Sequence, residues 1–262
     1  MRRYLRLMML FFRVSLQDAV AYRIDLVTNL LLAVGALVAE LMALWTIFSN
    51  TQSLAGWNAW EILALLGVFR IMSGMIALMI APNMRLIMED IREGKLDYVL
   101  LKPVNSQFYA SIRRVVVWRL VDIGIGIGMA AAAGVALSTS VSIERAVLFI
   151  LMLSAGTTII YSCWLVLATM AFWFTRISNI EMVFWNVFEA GRYPVDIYRP
   201  AVRWGLTYIV PLAFLTTYPA GALIGRVEPG NVGAAFLLAG LALTGATLFW
   251  RYGIRHYSGA SA

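Results

Sequence analysis

Residues 146–174 read AVLFILMLSAGTTIIYSCWLVLATMAFWF, twenty-nine positions without one charged side chain. As a helix this run covers about 43 Å at ~1.5 Å per residue, more than the ~30 Å hydrocarbon core of a bilayer. Five further apolar runs, at 24–48, 60–81, 115–137, 204–224 and 232–250, have the same character. Composition points the same way. Of 262 residues 61% are hydrophobic and 13% charged, and the mean hydropathy is +0.80. That is about half the charged share of a soluble domain, and one soluble core could not hide so much apolar surface. The connectors are short, and no internal repeat or low-complexity tail stands out beyond 258–262. The expected fold is an all-α membrane protein, a single domain of six transmembrane helices over residues 1–262.

Lysine and arginine set the orientation. Arg2, Arg3, Arg6, Arg13 and Arg23 precede the first run, and Arg85, Arg92, Lys95, Lys102, Arg113 and Arg114 follow the second. Arg176, Arg192, Arg199 and Arg203 follow the fourth, and Arg251 and Arg255 follow the sixth. Seventeen of the 21 basic residues thus fall on one side, against Arg145 and Arg226 on the other, with Arg70 and Arg119 inside helices. Both termini are therefore expected in the cytoplasm. The net charge of +7 then reflects contact with lipid headgroups, not nucleic acid.

The N-terminal 23 residues are too interrupted by charge for a signal peptide, with Arg13, Asp18 and Arg23 after the short run 5–12. Leu5, Met8, Met9, Phe12 and Leu16 share one helical face, and Arg2, Arg6, Arg13 and Gln17 the other. This predicts an amphipathic helix lying in the membrane interface.

Soluble-enzyme chemistry lacks its parts. His256 is the sole histidine, so no Ser-His-Asp triad or two-histidine metal site can form within the chain. Cys163 is alone and mid-helix, which excludes an internal disulfide. The run Gly124-Ile-Gly-Ile-Gly128 lacks dinucleotide-loop spacing. It reads instead as a small-residue packing ridge of Gly124, Gly128 and Ala132. Gly94-Lys95 lacks the upstream glycine of a P-loop.

Charges inside a bilayer need partners. Glu40 and Arg70 fall at matched depth, about 12–15 Å below the far surface, and are expected to form an ion pair between the first two helices. Arg119 and Asp122, spaced i,i+3, can pair on the third helix. Trp45, Trp57 and Trp60 read as interfacial belt anchors.

Two connectors carry more than linkage. Residues 82–109 open with Pro82 and Asn83, taken as a helix start, continue with Met84, Ile87, Met88 and Ile91 on one side, and meet a stop at Gly94. Arg92, Lys95, Asp97, Tyr98, Leu100, Leu101 and Lys102 then mix charge with apolar bulk, which calls for burial against another protein or the headgroups. Residues 176–203 place Ile177, Ile180, Val183, Phe184, Val187 and Phe188 at helical spacing. They are expected to lie along the cytoplasmic surface before turning into helix 5.

The basic N-terminus, Gly94-Lys-Leu-Asp97 with Leu101-Lys-Pro103, Glu189-Ala-Gly-Arg-Tyr-Pro194, and Pro211-Leu-Ala-Phe214 with Tyr218-Pro-Ala220 occur in this order along six helices. The arrangement resembles the permease subunits of type-2 ABC exporters over essentially the whole chain. The resemblance implies alternating access in the plasma (inner) membrane of a prokaryote. It also implies a second permease chain, identical or paralogous, and two ABC ATPase subunits. No cofactor is expected on this chain, because ATP and Mg belong to the ATPase. The coupling element maps to residues 92–105. One departure is that the connector 225–230 looks too short for the re-entrant helices many relatives carry there. A secondary transporter would need intramembrane ion ligands beyond Glu40. A membrane-embedded transferase would need a histidine or carboxylate cluster at the interface. The small far-side loops lean toward a lipid-like or amphipathic cargo, with a glycan left open.

Overall fold

The computed structural model describes residues 2–21, 23–137, 142–174 and 180–257, and among them every regular element is a helix. The chain is an all-α membrane protein. Five runs are long and apolar enough to cross a bilayer: Ile24–Asn50, Ala59–Arg92, Val117–Ala136, Ile143–Phe172 and Pro229–Arg255. The sixth candidate is a pair, Pro200–Ile209, which opens with α10 (Pro200–Trp204), and Ala213–Ile224, which ends in α11 (Tyr218–Ile224), bent by 75°.

Helix α1 (Arg2–Ala21) turns Leu7, Phe11, Ser15 and Ala19 inward, and leaves Leu5, Met8, Met9, Phe12 and Leu16 exposed. Helix α2 (Arg23–Asn50) stands largely clear of the bundle, with Ala33 its one buried apolar residue among those described.

Helix α3 (Ala59–Met75) starts on a capping box. Asn58 Oδ1 accepts from the Glu61 N–H at 3.0 Å, and Glu61 Oε2 accepts from the Asn58 N–H at 2.8 Å. Pro82 does not open a new helix. A π-turn (Ile76–Ile80) carries the chain into α4 (Ala81–Arg92), making one rod of 34 residues. Proline removes the N–H that would bond the Leu78 carbonyl. The Val116 N–H takes its place at 2.8 Å. The rod is about 51 Å long, so about 20 Å of it projects beyond the hydrocarbon core.

Helix α7 (Leu120–Ala136) crosses α3 backbone to backbone. A Cβ on Gly67 would meet the Gly126 carbonyl oxygen at 2.7 Å, and one on Gly126 would meet that of Gly67 at 2.6 Å. The expected ridge of Gly124, Gly128 and Ala132 is not this contact. Gly124 and Gly128 would meet nothing within 4 Å, and Ala132 is exposed. The buried face is Gly126, Ala130 and Ala133. Small residues from 124 to 134 offer several ridges at once, and Gly67 and Gly74 on α3 select among them.

Helix α8 (Ile143–Thr169) and α12 (Pro229–Arg255) pack side by side, with Gly253 against Phe172 and Thr169. Tyr4 of α1 stacks edge-on against Phe108 at 4.8 Å, and Trp250 of α12 donates to Ser106 Oγ at 3.4 Å. Both described ends of the chain therefore lie at the same end of the bundle.

The connector 176–203 departs from expectation. Its first residues, 176–179, including Arg176 and Ile177, lie outside the described residues. At one end Glu181 Oε2 is 3.1 Å from Arg85 Nε, and at the other Asp196 accepts from the Trp57 indole at 3.2 Å. Arg85 and Trp57 are separated by most of the α3–α4 rod. So α9 (Ile180–Phe188) and the two 3-10 turns after it (Glu189–Arg192 and Val195–Ile197) run the length of the bundle instead of along one surface. Phe188 stacks on Phe69 at 4.9 Å, and Phe184 meets Trp164 edge-on at 4.9 Å. The bent pair that follows returns to its starting end, since the Arg226 guanidinium lies 5.6 Å from the centre of the same Trp57 ring. This supplies the re-entrant element that the short connector 225–230 had argued against. Trp57 itself is buried rather than a belt anchor, whereas Trp45 and Trp60 are exposed.

Arg192, Arg199 and Arg203 thereby leave the basic end, with Arg203 paired to Asp196 at 2.8 Å. Of the 17 basic residues assigned to that end, these three leave it, Arg176 lies outside the described residues, and the other 13 keep their place.

Candidate functional site

The projecting end of the α3–α4 rod carries the segment with mixed charge and apolar bulk. Gly94 stops the helix with φ +68°, a left-handed conformation that glycine adopts without strain, and the Lys95 N–H closes the turn on the Asp90 carbonyl at 2.8 Å. One turn of helix, α5 (Asp97–Leu100), follows. Leu96 and Val99 are buried beneath it, while Tyr98 is 72% and Leu101 80% exposed. Leu100 is half-buried against the core, so it belongs to the underside and not to the exposed face. Arg92, Lys95 and Lys102 are exposed, and Asp97 is half-buried. Lys95 Nζ sits 2.6 Å from Glu93. This hydrogen bond holds the Glu93 carboxyl below its ordinary value and lifts the Lys95 ammonium above its own. Such a solvated pair shapes the turn more than it stabilises it. Helix α6 (Ser106–Ile112) is capped by Asn105, whose Oδ1 accepts from the Phe108 N–H at 3.0 Å. Arg113 then ties α6 back to Asp90 at 2.7 Å, an ion pair without hydrogen-bond alignment. The segment is thus an anchored knob with an apolar underside and an apolar top.

A second site lies midway along the bundle. Arg70 Nε donates to Glu40 Oε2 at 2.7 Å, with both side chains about nine-tenths buried. The structure brings these two together and adds partners. Arg70 Nη1 is 3.5 Å from Asp122, which also accepts from Arg119 at 3.0 Å. Arg192 Nη1 is 3.4 Å from the other Glu40 oxygen and pairs with Glu189 one turn back. Arg119 lies over the Trp118 ring at 3.8 Å. Three acids and three arginines from α2, α3, α7 with the turn before it, and the turn after α9 form one chain of contacts with zero net charge. The spacing of Arg119 and Asp122 was legible in the sequence, but their link to Arg70 was not. Glu189 and Arg192 carried the same i,i+3 signal in a segment assigned to the surface.

Above Glu40 a cavity of about 270 Å³ separates α2 from α3. Ala36, Ala39 and Ala43 line it on α2 together with Glu40 and the bulkier Leu44, Ile47 and Phe48, and Leu54, Ile62, Leu66, Arg192 and Tyr193 form the rest of its wall. Along α9 and its continuation, Met182, Asn186, Glu189, Tyr193 and Ile197 are exposed. Among the described residues no three His, Cys, Asp or Glu side chains gather as metal ligands would.

The chain thus combines helices long enough to span, an anchored knob on a projecting rod, and a mid-depth chain of charges beside a cavity. No curated protein matches the chain in sequence. Residues 34–261 match the family model for ABC-2 family transporter protein. With nearly the whole chain covered, the protein belongs to the ABC-2 transporter family, whose members form the membrane component of the transporter.

Proposed function

We propose that this chain is the permease subunit of an ATP-driven exporter in the plasma (inner) membrane of a prokaryote, with both termini in the cytoplasm. A second permease chain, identical or paralogous, completes the pathway. Two ABC ATPase subunits dock beneath, and ATP and Mg bind there, not here. The observation that carries this reading is the pair Tyr98 and Leu101, exposed on a turn whose underside, Leu96 and Val99, is fully packed. A loop held only by headgroups does not need a buried floor. A lever that must transmit force does, because an anchor that slides moves nothing. The α3–α4 rod runs from Arg70 to Arg92, and the Gly94 turn, closed by the Lys95 N–H on the Asp90 carbonyl, fixes the knob to its end.

Half-exposed Glu189 supports the same reading. It sits at the depth of the Glu40–Arg70 pair, where a carboxylate facing lipid is strongly disfavoured. The face it occupies is therefore read as a wet surface, the translocation pathway between two permease chains.

The test is Tyr98→Ala with Leu101→Ala. The expected outcome is normal insertion and thermal stability with reduced copurification of the ATPase and no transport-stimulated ATP hydrolysis. Lys95→Gln with Lys102→Gln weakens lipid contact but spares both. Full ATPase association and stimulation in the apolar double variant would remove the coupling assignment.

A further inference from the structure

The mid-depth charges and the apolar cavity share one border, and that border has the shape of an amphiphile site. Arg192 and Tyr193 line the cavity and also belong to the exposed turn bearing Glu189. On one side is apolar volume, about 270 Å³, walled by Ala36, Ala39 and Ala43 where larger side chains would close the gap to Leu66. On the other is one carboxylate and one guanidinium, with side chains 51% and 36% exposed. The volume falls just under the ~300 Å³ at which pockets for drug-sized molecules begin. It holds one hydrocarbon chain, not two.

We propose that Glu189, Arg192 and this cavity form a cargo site for a single-chain amphiphile with a zwitterionic headgroup. It rests on the permease reading, under which a ligand on this face is cargo. The cationic end of the head meets Glu189, the anionic end meets Arg192, and the chain enters between α2 and α3. The Glu189–Arg192 pair is partly solvated, so exchanging it for two contacts with a ligand loses little. Charge-assisted hydrogen bonds to both ends of the head then replace it. Arg192 keeps Glu40 as a fixed partner, which holds the guanidinium in place when Glu189 turns to the ligand. An anionic amphiphile that takes Arg192 leaves Glu189 without a partner, and a cationic one that takes Glu189 leaves Arg192 with Glu40 alone, so each forfeits one charge-assisted contact that the zwitterion makes, and that difference is the basis of selection.

The experiment measures binding of radiolabelled dodecylphosphocholine, below its micellar concentration, to the full chain in nanodiscs together with its copurified ATPase. Competition with dodecyltrimethylammonium and dodecyl sulfate reads headgroup preference at constant chain length. The zwitterion should bind at least about tenfold tighter than either competitor, the size of one lost charge-assisted contact. Ala39→Phe, and independently Ala43→Phe, should each weaken the zwitterion about tenfold by filling the cavity. Glu189→Gln should narrow the gap between zwitterion and sulfate, a ratio that does not depend on how much variant folds. Equal binding of the three probes, or unchanged affinity in both cavity-filling variants, overturns the proposal. An ATPase that copurifies with a chain showing no such binding removes the cargo site and leaves the permease reading standing. Selective binding without any ATPase association keeps the amphiphile site and removes its role as a cargo site.

Discussion

The Trp57 indole donates to Asp196 at 3.2 Å while its ring faces the guanidinium of Arg226 at 5.6 Å. One side chain thus holds both ends of the segment between residues 196 and 226. Because that segment starts and finishes at the same place, the bent pair within it enters and leaves at one end of the bundle. The crossing from Arg85 to Trp57 falls to residues 181–196.

This arrangement makes a topological prediction that differs from the one the basic residues give alone. In a Cys163→Ala background, single cysteines at Arg199, Ser53 and Val227 should all label with an impermeant maleimide from outside intact cells. A cysteine at Lys95 should not. Protection of position 199 with labelling at 53 would restore the connector to the cytoplasmic surface.

Glu40 and Arg70 give a stability prediction. Removing one partner of a buried pair typically costs about 3–5 kcal/mol. Here Asp122 still faces Arg70 at 3.5 Å, so Glu40→Gln should fall toward the lower end of that range. Glu40→Gln with Asp122→Asn should be more destabilising than the sum of the two single changes, because Arg70 then loses both carboxylates. Thermal unfolding in a common detergent reads this. Strict additivity would mean that the three residues do not act as one network.

Glycine placement separates two neighbouring helical faces. Gly126→Ala forces a Cβ to 2.6 Å from the Gly67 carbonyl oxygen and should cost about 1–3 kcal/mol. Gly124→Ala and Gly128→Ala meet no atom within 4 Å and should stay within about 0.5 kcal/mol of the parent. The opposite order in melting temperature would return the packing role to the outer ridge.

The knob after α4 should divide cleanly between floor and top. Leu96→Ala empties a fully buried site and should cost about 2–5 kcal/mol. Leu101→Ala should leave unfolding unchanged within about 0.5 kcal/mol and affect only association with the ATPase. A large stability loss at Leu101 would show that its exposed position is not the one it holds in the membrane.

Sequence alone determined the helical class, the five straight spans and the basic end, because these depend on run length and charge count and not on neighbours. It also marked Glu40 and Arg70 as partners, since two opposite charges at matched depth have few other ways to be accommodated in lipid. It did not reveal the crossing by residues 180–197. Glu181, Asn186, Glu189, Arg192 and Asp196 make that stretch too polar to pass as a span. Arg85, Glu40 and Trp57, all far away in sequence, bring Glu181, Arg192 and Asp196 their long-range partners. Conversely, 204–224 looks continuous by hydropathy, yet Pro211 withholds an N–H and Val210 turns extended at φ −111° and ψ 96°. Which small-residue ridge of α7 makes contact was likewise fixed by Gly67, on another helix. Tertiary structure decided each of these points. Whether a polar group or a missing hydrogen bond can be tolerated depends on the partner that satisfies it, and partners are set by packing.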